Sequence, residues 1–144
     1  MFDHELARLR YCQPSLDDAA LFIAATRMVS AVTYPDGSTL LPPHNSGAAV
    51  DLFLIDEQGA MLDFGMDIYR WNETDPDPDL CLSHCSTLSE QAMANRRLLA
   101  NVMSTVGLVN YQQEWWLFSY RDRFWAYLTG HKSALSGAIQ PSLD

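Results

Sequence analysis

Pro42-Pro43-His44-Asn45-Ser46-Gly47-Ala48-Ala49-Val50-Asp51 is the stretch on which the reading of this chain turns. It sets an imidazole and a carboxylate seven positions apart. On one flat strand an odd spacing would send the two side chains to opposite faces. Asn45-Ser46-Gly47 is a turn signal, so the chain is expected to bend there and to enter a strand at Ala48. The bend lets His44 and Asp51 converge. An imidazole nitrogen and a carboxylate oxygen are two of the three protein ligands that a catalytic zinc takes.

Outward from this stretch, toward the N-terminus, residues 1–14 are mixed. Ser15-Leu16-Asp17-Asp18 reads as a helix start with Ser15 as N-cap. Leu21, Ala24, Ala25, Met28, Val29 and Val32 then share one face of a helix running to Val32. Tyr34-Pro35-Asp36-Gly37 is a turn. Toward the C-terminus, a strand Ala49–Ile55 is expected, then a hairpin turn at Asp56-Glu57-Gln58-Gly59 and a return over Ala60–Phe64.

Residues 65–86 read as a long loop, acidic and proline-broken over Asn72–Asp79. Thr87 and Glu90 match a capping box for a second helix, which Gly107 ends. Its expected apolar stripe is Ala92, Leu99, Val102, Met103 and Val106. The aromatic runs Leu108–Tyr111, Glu114–Tyr120 and Phe124–Thr129 read as strands. The class is α+β, an antiparallel sheet with at least two packed helices, in a single domain over residues 1–144.

Composition narrows the partners. Nine basic against eighteen acidic residues leave a net charge of −9, which disfavours nucleic acid and anionic membrane as partners. No apolar run reaches the ~18 residues of a membrane span. The N-terminus shows no signal-peptide pattern. Cys12, Cys81 and Cys85 form no disulfide framework, which fits a reducing cytoplasm.

Two motifs together carry a resemblance. His44-Asn45-Ser46-Gly47-Ala48-Ala49-Val50-Asp51 resembles the H-x-x-G-x-A-x-D signature of the bacterial D-alanyl-D-alanine dipeptidases. Glu114-Trp115-Trp116 resembles the first three residues of their E-W-W-H signature. Asn95-Arg96-Arg97-Leu98-Leu99 is similar to the helix before it, and Phe124-Trp125-Ala126-Tyr127 to the strand after it. The match covers roughly residues 40–135, in the family's order.

The resemblance implies the fold shared by hedgehog-type and DD-carboxypeptidase domains. It implies zinc held by His44 and Asp51, with Glu114 as the general base. The position of the third ligand is Leu117, whose isobutyl side chain cannot donate to a metal. The family's substrate-binding arginine belongs to a segment well upstream of the first motif. Arg8, Arg10 and Arg27 sit in no matching motif, and Arg121 stands where many relatives have glycine. Asp67 lies near the position of the aspartate that grips the substrate amine, offset in register.

The expectation is therefore a repurposed dipeptidase-like protein without a cofactor. It would perform acid–base chemistry of lyase, isomerase or cyclase type on a small amino-acid-derived substrate. Glu114 and His44 would be catalytic, with Trp116 and Asp67 binding the substrate. By the period of two, Glu114 and Trp116 would share a strand face. Two alternatives stand beside it. One is a catalytically inactive binding or complex subunit. The other is an active zinc D,D-dipeptidase with a substitute ligand, for which Cys81-Leu82-Ser83-His84-Cys85 is the reserve. Because the chain resembles the later part of the family's domain, a homo-oligomer or a partner chain is expected to cover the remaining surface.

Overall fold

The computed structural model describes residues 2–68 and 78–138, with the side chains of Arg27 and Met28 left aside. The acidic stretch expected to be irregular lies mostly outside the described residues, at 72–77. The chain divides into two compact units, Met1–Pro42 and Pro43–Asp144.

The first unit is a pair of helices, α1 (Phe2–Cys12) and α2 (Asp18–Met28). α1 was not expected from the mixed composition of residues 1–14. Its buried Glu5 is held by Arg8 through two bonds of 2.8 and 2.9 Å, which lets a carboxylate enter the interface. Leu9, Leu21 and Ala25 form the core of the pair, with Phe2, Leu6, Leu16 and Ala24 against it. The N-cap of α2 is Asp17, whose Oδ1 accepts from Ala20 N at 2.8 Å, rather than Ser15. α2 also ends four residues before Val32, because residues 33 and 39 bridge around the Tyr34–Gly37 turn.

The second unit carries a three-stranded antiparallel sheet. Its strands are β1 (Ala49–Asp51), β2 (Val109–Asn110) and β3 (Leu117–Ser119), in the order β1-β3-β2. β3 is thus central, with Ala49 opposite Ser119, Val50 opposite Phe118 and Asp51 opposite Leu117. The expected strand Ala49–Ile55 stops at Asp51. Beyond it the chain keeps a looser pairing, with Leu62 N donating to Leu54 O and a bridge between Ile55 and Met61. The turn at Asp56 is as expected, its Oδ1 accepting from Gln58 N and Ala60 N at 2.9 Å each.

α3 (Glu90–Thr105) begins at Ser89, which accepts from Ala92 N at 3.1 Å and takes the capping role expected of Thr87. Gly107 ends it in the left-handed region, at φ 85°. The buried face of α3 is Ala92, Asn95, Arg96 and Leu99, whereas Val102 and Val106 of the expected stripe are 48% and 64% exposed. The difference has a polar cause. Arg96 is buried because its guanidinium satisfies the backbone carbonyls of Phe64, Leu80 and Leu82, which rotates that face inward.

The run Phe124–Thr129, expected as a strand, is the short helix α4 (Arg123–Thr129). Asp122 Oδ1 caps it by accepting from Trp125 N at 2.8 Å, and Gly130 closes it at φ 74°. These two signals outweigh the strand preference of its aromatic residues. The core of the unit gathers Ala49, Phe64, Cys81, Leu99, Trp115, Trp116, Leu117 and Phe118. Among the described residues no helix is long and apolar enough to cross a membrane.

Candidate active site

His44 and Asp51 meet as the bend at Asn45–Gly47 allows. A single helical turn over Pro43–Ser46 is tied by Ser46 Oγ donating to Pro43 O at 2.5 Å and Gly47 N donating to His44 O at 3.0 Å. Gly47 takes φ 66°, a conformation that costs glycine nothing. The chain then turns into β1, and His44 Nε2 comes to 3.3 Å from Asp51 Oδ1. Both side chains are about half exposed. The bond to Asp51 raises the pKa of His44 against the opposing effect of burial. The charges of Asp51 and Glu114, and a hydrogen bond to the Ala49 backbone, add to the rise.

Glu114 faces the same pair, close enough for all three charges to interact. It lies in a tight turn before β3, not in a strand, with Glu114 N donating to Tyr111 O and Leu117 N to Glu114 O. The expected alternation therefore does not apply to it. It nevertheless reaches the Trp116 side chain, which donates a hydrogen bond to its carboxylate. Burial, with the Asp51 charge behind it, pushes the Glu114 carboxyl up to about 7. His44 and the Trp116 hydrogen bond pull the other way.

The Glu114 turn is fastened by residues that sequence reasoning missed. Asn110 Nδ2 lies 3.3, 3.1 and 3.0 Å from the carbonyls of Glu114, Trp115 and Leu117. Asn110 Oδ1 accepts from Ser83 Oγ. Ser83 N donates to Gln112 O, and Trp115 N to Cys81 O. The loop around Cys81–Ser83 is in turn fixed by Arg96, which also lies over the Trp115 ring at 5.2 Å. Only the Asn95–Leu99 stretch signalled any of this in the sequence, and it did not reveal the carbonyl contacts.

Trp116 is buried, edge-on to Trp115, so most of its ring packs in the core. Asp67 is exposed on the loop after Gly65. Cys81 and Cys85 are buried thiols beside the Arg96 charge, Cys81 3.9 Å from Met66 Sδ and Cys85 3.0 Å from Thr87 Oγ1. Among the described residues no three His, Cys, Asp or Glu side chains are placed to hold a metal ion together.

The family model for D-Ala-D-Ala dipeptidase matches residues 21–132. The chain belongs to the D-Ala-D-Ala dipeptidase family. It is also similar to a D-alanyl-D-alanine dipeptidase of Synechocystis sp. (strain ATCC 27184 / PCC 6803 / Kazusa), 32% identical over 95 residues. That match covers 60% of this chain and 37% of the relative, so the chain spans well under half of the relative's length. The resemblance implies zinc at His44 and Asp51, and the donors described here do not fit it: these two meet, and no third His, Cys, Asp or Glu among the described residues joins them. Leu117, to which the resemblance gives the third ligand's position, lies directly across from Asp51 and is 4% exposed.

Proposed function

We propose that this dipeptidase-family chain performs proton-transfer chemistry on a small amino-acid-derived or dipeptide-like molecule. Glu114 is the base, and His44, oriented by Asp51, is the acid. The observation that carries this reading is the meeting of an imidazole, its aspartate partner and a carboxylate held largely out of water. A carboxyl poised at about 7 takes and returns protons at neutral pH, where an ordinary carboxylate is a weak base. General acid–base help of this kind is worth about 10²–10⁴-fold. Elimination, isomerisation and cyclisation next to a carbonyl need no more than such a pair. Asp67 is proposed to hold the substrate amine. A reducing compartment such as the cytoplasm is proposed with it, because Cys12, Cys81 and Cys85 make no disulfide framework in the sequence.

The test is Glu114→Gln, which keeps shape and removes the base. Against a panel of amino-acid derivatives and dipeptides, the variant is expected to bind what the parent binds and to turn it over at least ~100-fold more slowly. Undiminished turnover sinks the enzymatic reading. One observation favours a second reading, a binding subunit without turnover. Leu98 and Val102 of α3 and Val106 at its C-cap, spaced by four, are all exposed. If no compound in the panel is turned over by the parent, that reading takes the place of the first.

A further inference from the structure

We infer that the His44–Asp51–Glu114 cluster is closed to zinc and that Leu117 is the residue that closes it. The inference rests on the placement of the cluster and not on the reaction proposed above. Protein zinc sites take at least three side-chain donors at about 2.0–2.3 Å. Here His44 and Asp51 supply two. Glu114 is not placed to complete a set with them, and its carboxylate is engaged by the Trp116 indole.

The register identifies where a third donor would have to stand. Asp51 and Leu117 are direct partners across β1 and β3, so their side chains leave the sheet on the same face. Directly opposed residues hold their Cβ atoms about 4.5–5.5 Å apart. A donor at 117 would therefore reach the space in front of the Asp51 carboxylate. Leucine offers no lone pair there. Its side chain instead belongs to the core with Phe64, Trp115, Trp116 and Phe118. An ion between His44 and Asp51 would meet hydrocarbon where its third ligand belongs.

The sulfur-bearing loop offers no substitute. Cys81 and Cys85 face Met66 and Thr87, with the buried Arg96 cation within reach of both thiols. A fixed positive charge beside two thiols opposes the arrival of a second cation.

The experiment uses the full chain and zinc alone, read by competition with a chromophoric chelator and by melting curves with and without one equivalent of zinc. The wild-type chain is expected to bind no stoichiometric zinc and to melt at an unchanged temperature. Leu117→His is expected to bind one zinc per chain at least ~100-fold more tightly, because the third donor then faces Asp51. Its melting temperature should rise by several degrees, about what ligand linkage gives at that affinity. Adding His44→Ala to Leu117→His should abolish both gains.

A wild-type chain that binds one tight zinc, lost on His44→Ala, overturns the inference. So does a Leu117→His chain that folds and binds no more tightly than the parent. Should Leu117→His fail to fold, Leu117→Cys places a smaller donor at the same point and is held to the same two outcomes. Neither readout involves a substrate, so failure here leaves the Glu114→Gln turnover test standing, and the reverse.

Discussion

Arg121 is the single non-glycine residue among those described with a positive φ, 66°. Glycine would suit this position better, and the backbone explains why. A side chain in the left-handed region brings Cβ against the following carbonyl at roughly 1–2 kcal/mol. The conformation is held because Arg121 O accepts from Leu135 N at 2.8 Å and Ser136 N at 2.9 Å. Its guanidinium recovers part of the cost by lying 5.1 Å from the Tyr120 ring centre. Arg121→Gly and Arg121→Ala both remove that contact, and only glycine relieves the backbone. Denaturant melts should therefore find the glycine variant about 1 kcal/mol more stable than the alanine variant. At this scale the sequence was uneven. His44, Asp51 and Glu114 could be read because their own side chains carry chemistry at motif spacing. Asn110 and Ser83 could not, because they act by gripping carbonyls, and a carbonyl leaves no mark on composition.

The segment around Leu80–Ser83 is held by one buried cation, and the turn that bears Glu114 is tied to that segment through Asn110 and Ser83. Arg96 is 4% exposed and makes four hydrogen bonds to three carbonyls. Burial lowers its pKa to about 10, so it remains charged at neutral pH. Arg96→Lys keeps the charge but loses the planar fork, and an ammonium cannot span Phe64, Leu80 and Leu82 together. At least one buried carbonyl is left without a partner, at a cost of about 1–3 kcal/mol. Urea unfolding should show that loss, with the Glu114 turn loosened as well. Elements were legible where one signal dominated: the hairpin at Asp56, the α3 terminus at Gly107, the α+β class. They were misread where two signals competed. Phe124–Thr129 has the composition of a strand and the punctuation of a helix, and the caps at Asp122 and Gly130 decided. On α3 the apolar spacing pointed to Val102 and Val106, and a hydrogen-bonding arginine turned a different face inward.

For the molecule as a whole, the site has a thermodynamic signature. The Glu114 carboxyl has its proton loss moved from 4.5 to about 7 by folding. Between those values the unfolded chain has released this proton and the folded chain still holds it. The folded state therefore binds more protons, and stability falls as pH rises through the window, then stays at the lower level above it. His44, raised by its partner, acts in the same sense: its contribution is present below 6.5 and is lost as pH rises through its folded value. Glu114→Gln removes the larger of these slopes. It should match the parent near pH 4.5 and exceed it by about 1–3 kcal/mol at pH 8, a figure reduced from the full shift for residual solvent access. Equal stability of the two chains at pH 8 would refute the buried charge. The same carboxyl is hydrogen-bonded to the Trp116 indole, which lies 5.4 Å from Trp115 at 87°. An indole's absorption and emission respond to a charge gained or lost beside it. The protein thus carries its own optical reporter: of its four tryptophans, Trp116 is hydrogen-bonded to this carboxyl, and the difference in emission between parent and Glu114→Gln across neutral pH would isolate its response without any label.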